Sequence, residues 1–139
     1  MGYRRSAREC ALQMLFEADV GRQDSSEVVA TYWLANPHPE RVRAFSNRLF
    51  EGTLERLEAI DHLIRRHAKH WKMNRMAAVD RNILRLAVFE LVSDTGTPPT
   101  VVINEALEIA RKYSTLDSPQ FVNGVLDSIK TEVRAQLEK

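Results

Sequence analysis

This chain of 139 residues is poor in several things. It has one cysteine, Cys10, so it can form no internal disulfide, which fits a reducing compartment. With only five glycines and five prolines it is neither a fibrous nor a low-complexity sequence. No apolar run approaches the roughly 20 residues that cross a bilayer. The arginines near its start are not followed by the uninterrupted apolar segment of a signal peptide, so a cytoplasmic location is expected and no membrane role. Net charge is also scarce: 20 Lys and Arg against 19 Asp and Glu leave a formal +1. No glycine-rich turn follows a strand pattern, and no Ser/His/Asp or Cys/His arrangement stands out. Neither a catalytic residue nor a cofactor is therefore expected. What remains, 44% hydrophobic and 28% charged residues, describes a soluble globular protein whose size fits one domain over residues 1–139.

Helical periodicity runs through nearly the whole sequence and strand alternation is nowhere convincing, which predicts an all-α fold. Ala7, Ala11, Met14, Leu15 and Ala18 mark the buried stripe of a first helix that Gly21 stops. Cys10 lies beside that stripe and reads as a small core residue. A short helix is expected over Glu27 to Ala35, capped by serine and ended by Asn36-Pro37-His38-Pro39. From Glu40 to about Trp71 the apolar spacing is too long for one straight helix, so two helices with a break near Gly52 are expected. Asn74 is a cap candidate for a helix that buries Val79, Ile83, Leu84, Ala87, Val88 and Leu91 and ends near Ser93-Asp94-Thr95-Gly96. Pro98 and Pro99 open the next, with Val102, Ala106, Ile109, Ala110 and Tyr113 on its stripe. Asp117 and Ser118 are cap candidates before Pro119 and a last helix carrying Phe121, Val122, Val125, Leu126, Ile129 and Val133.

A few residues fall outside this pattern of apolar stripes. Gly124 inside the last helix costs about 1 kcal/mol relative to alanine, which predicts a close approach of another backbone. Asn104 and Asn123 sit beside apolar positions and are expected to make structural hydrogen bonds, with direct ligand contact as the other reading. His62, His67, His70 and Trp71 form a polar-aromatic cluster, but its histidines lack the spacing and companion ligands of a metal site, so no metal is expected. Arg4-Arg5-Ser6-Ala7-Arg8-Glu9 crowds three guanidinium groups at one end of a nearly neutral chain. Such forks suit phosphate and can stack on bases, so RNA is the first candidate partner; a solvated, charged helix start is the bland alternative. On a helical projection Arg5, Leu12 and Phe16 share a flank away from the core stripe, with Arg4 and Arg8 along its edge. That places a basic edge beside an apolar patch, unless another helix covers the flank and makes Phe16 core.

Four segments in order carry a resemblance: Arg5 to Gln13 (RSARECALQ), Asp80 to Leu91 (DRNILRLAVFEL), Val102 to Ala106 (VINEA) and Phe121 to Asp127 (FVNGVLD). Together they resemble the bacterial transcription antitermination factor NusB family, and the likeness spans nearly the whole chain. It is weak between Gly21 and Arg75. The resemblance implies a NusB-like fold of about seven helices in two small packed bundles. It also implies a non-enzymatic function: binding the boxA element of nascent RNA from ribosomal RNA operons together with NusE, a small-subunit ribosomal protein, and joining RNA polymerase and other Nus factors.

Carried over by motif, the resemblance assigns RNA binding to Arg4, Arg5, Arg8, Asp117, Gln120 and Phe121, and NusE binding to Phe16 and Asp80. Leu12 is added to the NusE surface from its place beside Phe16. Phe16 stands where the family often has tyrosine. Gln120 stands where it often has lysine, and Ser6 interrupts a run of arginines found in some relatives, so the basic element is weaker here. NusB-like domains also precede the catalytic domain of some ribosomal RNA methyltransferases, and some NusB-like proteins form homodimers. An accessory RNA-binding module and a self-associating dimer are therefore the alternative readings.

Overall fold

The structure, a computed structural model, describes residues 2–93 and 95–137, with side chains as far as Arg134. Seven α-helices and one 3-10 turn account for its regular structure, and no strand occurs among the described residues. The first helix, α1 (Tyr3–Val20), is closed by Gly21, whose N–H bonds the carbonyl of Glu17. Its stripe is buried as the spacing predicts, with Ala7, Ala11, Met14 and Leu15 inside and Ala18 half-buried. Cys10 is also core. Burial pushes its thiol up, away from the thiolate form, and its sulfur lies 3.8 Å from His38 Nε2.

Helix α2 (Ser25–Ala35) begins two residues earlier than its apolar pattern, because Asp24, not a serine, is the cap: its carboxylate accepts from the N–H of Ser26 at 3.2 Å. The long apolar stretch splits into α3 (Glu40–Glu55) and α4 (Leu57–His67), and the break falls at Arg56, not at Gly52. Gly52 has another purpose. A Cβ there would overlap the ring of Phe89, so the missing side chain lets the α3 backbone rest against that ring. The close approach expected at Gly124 is absent: Gly124 is exposed and a Cβ there would meet nothing within 4 Å.

Helix α4 ends at His67, short of Trp71, and a single 3-10 turn, Met73–Arg75, follows. Asn74 sits within that turn. The residue before α5 (Ala78–Val92) is Ala77, which makes no side-chain cap. Of the stop expected at residues 93–96, Asp94 lies outside the described residues. Helix α6 (Pro99–Tyr113) starts on proline as expected, and α7 (Ser118–Leu137) follows a four-residue turn. Asn104 and Asn123 are exposed, not buried amides.

Helices α1, α2 and α3 form one bundle and α4 to α7 another; α5 packs on α1 and α3 of the first and on α4, α6 and α7 of the second. Met14, Leu15, Leu49, Phe50, Ile83, Leu84 and Leu126 are fully buried, and each such side chain is worth about 1.5–3 kcal/mol relative to exposure. Polar clamps hold the two bundles in register. Asp19 at the end of α1 accepts from Arg81 Nε at 2.9 Å, Asn82 Nδ2 at 3.0 Å and Arg85 Nη1 at 3.2 Å, while Arg85 also grips Asp61 of α4 through two bonds of 2.9 Å. No helix of the described residues is long and apolar enough to cross a membrane.

Candidate nucleic-acid interface

The first turns of α1 project three arginines, Arg4, Arg5 and Arg8, toward the start of α6, where helix spacing and long-range pairing together decide which stay free. Arg8 is one residue past Ala7 on the buried stripe and is itself buried. Its guanidinium forms a fork with Glu90 of α5, Nε to Oε2 at 2.8 Å and Nη2 to Oε1 at 2.9 Å, and lies 3.8 Å from Glu105. The edge position expected for Arg8 is thus corrected: the residue is an internal strut whose charge is neutralised. Arg5 is half-exposed and makes a second fork, to Glu105 at 3.0 and 2.7 Å. The hydrogen bonds from Arg5, reinforced by the charges of Arg5 and Arg8, outweigh burial and hold the Glu105 carboxyl below its usual range. Arg4 is exposed, bonds Thr97 Oγ1 at 3.3 Å and lies 5.2 Å over the Phe45 ring. The arginine cluster exists, but most of its charge is paired with acids that sequence spacing does not connect to it.

At the other end of α1 the apolar flank is narrower than expected. Leu12 is 4% exposed and belongs to the core, so it is not part of an open patch. Phe16 is 36% exposed and Val20 more so; both line a shallow cavity of about 490 Å³ shared with Tyr32, Ala35 and Asn36 of the α2 end. Tyr32 donates to Gln13 Oε1 at 2.9 Å, which anchors α2 against α1 beneath that surface.

A third group forms where α5 begins and α7 begins. Asp80 is buried in the first turn of α5, where its charge suits the helix dipole, and it accepts from Ser114 Oγ at 2.6 Å and Ser118 Oγ at 3.0 Å. It therefore acts within the molecule as a clamp on the α6–α7 turn and offers little surface to a partner, contrary to the outward role that the resemblance assigns. Asp117 and Gln120 are exposed and Phe121 half-buried, all at the α7 start. Phe121 meets Trp71 with ring centroids 5.5 Å apart at 64°. Both rings line a cavity of about 260 Å³ together with Arg75, Met76, Asp80 and Asp117. The structure thus brings Asp117, Gln120 and Phe121 together, and it places Arg4 and Arg5 on a separate patch by α6.

Sequence reasoning missed the contact of Trp71 with Phe121, the Asp19, Asn82 and Arg85 clamp, and the serines that hold Asp80. One signal was available: Asn82 and Glu90 are polar residues inside an otherwise apolar helical run, as buried clamps often are.

Comparison with known proteins agrees with this geometry. The NusB family model matches residues 5–131. The chain belongs to the NusB family. It is 52% identical to the transcription antitermination protein NusB of Koribacter versatilis, over 99% of this chain and 95% of that one. It is 49% identical to the protein of the same name from Solibacter usitatus, over 96% and 92% of the two chains. Among solved structures T. maritima NusB superposes with a TM-score of 0.87 at 36% identity, covering 98% of this chain and 97% of that one. A structure of the antitermination factors NusB and NusE in complex with dsRNA matches with a TM-score of 0.84 at 28% identity, over 95% and 98% of the chains. The NusB fold is therefore the frame for the surfaces described above: paired arginines by α6, Phe16 on α1, and Phe121 at the start of α7.

Proposed function

We infer that this chain is a transcription antitermination factor that works by binding, not catalysis: it engages boxA RNA of ribosomal RNA operons together with NusE and joins RNA polymerase with other Nus factors. The observation that carries this reading is the near full-length, 52% identical match to a transcription antitermination protein NusB. The solved complex of NusB, NusE and RNA supports both partners, because its NusB has the same fold. The surfaces suit the two tasks. Phe121, Gln120 and Asp117 present an aromatic ring with hydrogen-bonding neighbours, which single-stranded RNA uses for stacking and base-edge contacts. Phe16 and Val20 present an apolar anchor of the kind that centres a protein interface. Transcription in vitro across a terminator placed downstream of boxA tests the reading. With RNA polymerase, NusE and the other Nus factors present, adding this protein is expected to raise readthrough, and a boxA-mutant template is expected to abolish the gain. Readthrough unaffected by the protein would refute it.

A further inference from the structure

From the last turn of α4 to the start of α5 the chain carries Arg65, Arg66, His67, Lys69, His70, Lys72 and Arg75, with no carboxylate from His62 to Val79. Part of this run has an ordinary cause. Arg65, Arg66 and His67 fill the last turn of α4, where the helix dipole favours cations, and Arg66 and His67 reach Glu132 at 2.8 and 2.9 Å. Lys69, Lys72 and Arg75 lie beyond that turn. All three are exposed, and among the described residues none has an ion-pair partner. This contrasts with Arg5 and Arg8, whose charge is met by Glu105 and Glu90. Within seven residues, this connector therefore places three exposed cations without a neighbouring acid in sequence.

Trp71 sits between the two lysines and is 56% exposed, although a large apolar ring is normally well covered. It packs in a T-shaped arrangement with Phe121, and the two rings line the 260 Å³ cavity together. That volume lies below the usual range for drug-sized ligands, about 300–1,000 Å³, and suits a single ring system. Free cations interleaved with an exposed indole are what a single-stranded nucleic acid requires, since cations track its phosphates and aromatic faces stack its bases.

We propose that the Lys69–Arg75 connector is a second RNA-binding element, in which Lys69, Lys72 and Arg75 hold successive phosphates while a base stacks on Trp71 beside Phe121. It rests on the RNA-binding reading above and extends that surface from the α7 start across to the α4–α5 connector. The acids nearby fit this polarity. Asp80 is occupied by Ser114 and Ser118, whereas Asp117 is exposed on the rim and repels phosphate, which keeps the RNA backbone on the lysine side.

The test is the affinity of a labelled single-stranded boxA RNA for the full chain, alone and with NusE, as a function of salt, with melting curves to show that each variant is folded. Each phosphate neutralised on a single strand contributes about 0.7 to the log-log salt slope, so Lys69→Ala/Lys72→Ala is expected to flatten it by about 1.4. Trp71→Ala is expected to weaken binding about tenfold, as loss of one stacked base does, and Trp71→Phe to retain most of it. In a Trp33→Phe background, RNA is expected to quench the Trp71 fluorescence. Wild-type binding with unchanged slope, affinity and fluorescence in these variants overturns this proposal alone. Variants that lose NusE but keep RNA would place a protein on the connector and also overturn it. Wild type that binds no RNA with or without NusE refutes the function reading and the proposal together.

Discussion

Arg8 and Glu90, 82 residues apart in sequence, meet in a two-bond fork of 2.8 and 2.9 Å with side chains only 5% and 2% exposed. This pair converts a residue that looks like an RNA contact into a joint between α1 and α5. Removing one partner strands the other charge in the core, so Arg8→Ala should cost about 3–5 kcal/mol of stability in denaturant unfolding. The double variant Arg8→Met/Glu90→Leu should recover most of that loss. If Arg8→Ala unfolds with the wild type, the fork is not part of the folded protein.

Two glycines invert the expectation drawn from spacing. Gly52→Ala drives a methyl into the Phe89 ring and should destabilise by about 1–3 kcal/mol. Gly124→Ala faces open space within a helix and should stabilise by up to about 1 kcal/mol, with Gly124→Leu tolerated. Thermal melts of the three variants decide this, and the opposite order would mean that the packing at both sites is misassigned.

Acid should loosen the bundle joint through Asp19. Burial alone raises its pKa, but the bonds from Arg81 and Asn82 and the charges of Arg81 and Arg85 outweigh it, and the carboxyl stays below the ordinary 3.8. A depressed carboxylate contributes stability that is fully present above its unfolded value and is lost as pH falls through its lower folded value. Asp19→Asn should therefore be less stable than wild type at pH 7, by about 1.5–3 kcal/mol for bonds to a charged group, and the gap should close below about pH 4. A gap that persists unchanged at pH 2 would show that the carboxylate charge is not what holds α1 to α5.

Phe16 separates the two partners. Because it is 36% exposed and otherwise covered, Phe16→Ala should cost about 1 kcal/mol of stability while weakening the complex with NusE about thirtyfold, the equivalent of about 2 kcal/mol for an anchoring aromatic. RNA affinity measured without NusE should not move. Equal loss of NusE binding and of stability would assign Phe16 to the core.

Much of the helical frame is legible in the sequence because the apolar period is local: the stripes of α1, α5, α6 and α7 are buried or half-buried where the spacing puts them, except Tyr113 at the end of α6, which is exposed and donates to Glu9. Gly124 and Asn123 have apolar neighbours in sequence but not in space. Together with Gln120, Asp127 and Thr131 they lie on the exposed side of α7. The candidate site is less legible. Whether an arginine is a free phosphate fork or a core strut depends on a carboxylate many residues away, as Arg8 with Glu90 and Arg5 with Glu105 show. Likewise Asp80 is drawn inward by two serines from a turn that no local period announces. The pairing of Trp71 with Phe121 crosses 50 residues of chain and becomes visible only when α7 docks beside the 3-10 turn.

Joint binding of boxA RNA by this protein and NusE is read out by fluorescence anisotropy of a labelled boxA RNA titrated with the protein at one fixed salt concentration, with and without saturating NusE. Saturable binding is expected that tightens at least tenfold when NusE is present and is lost on a scrambled RNA of the same length. Equal affinity for the boxA and scrambled RNAs, unchanged by NusE, would contradict it.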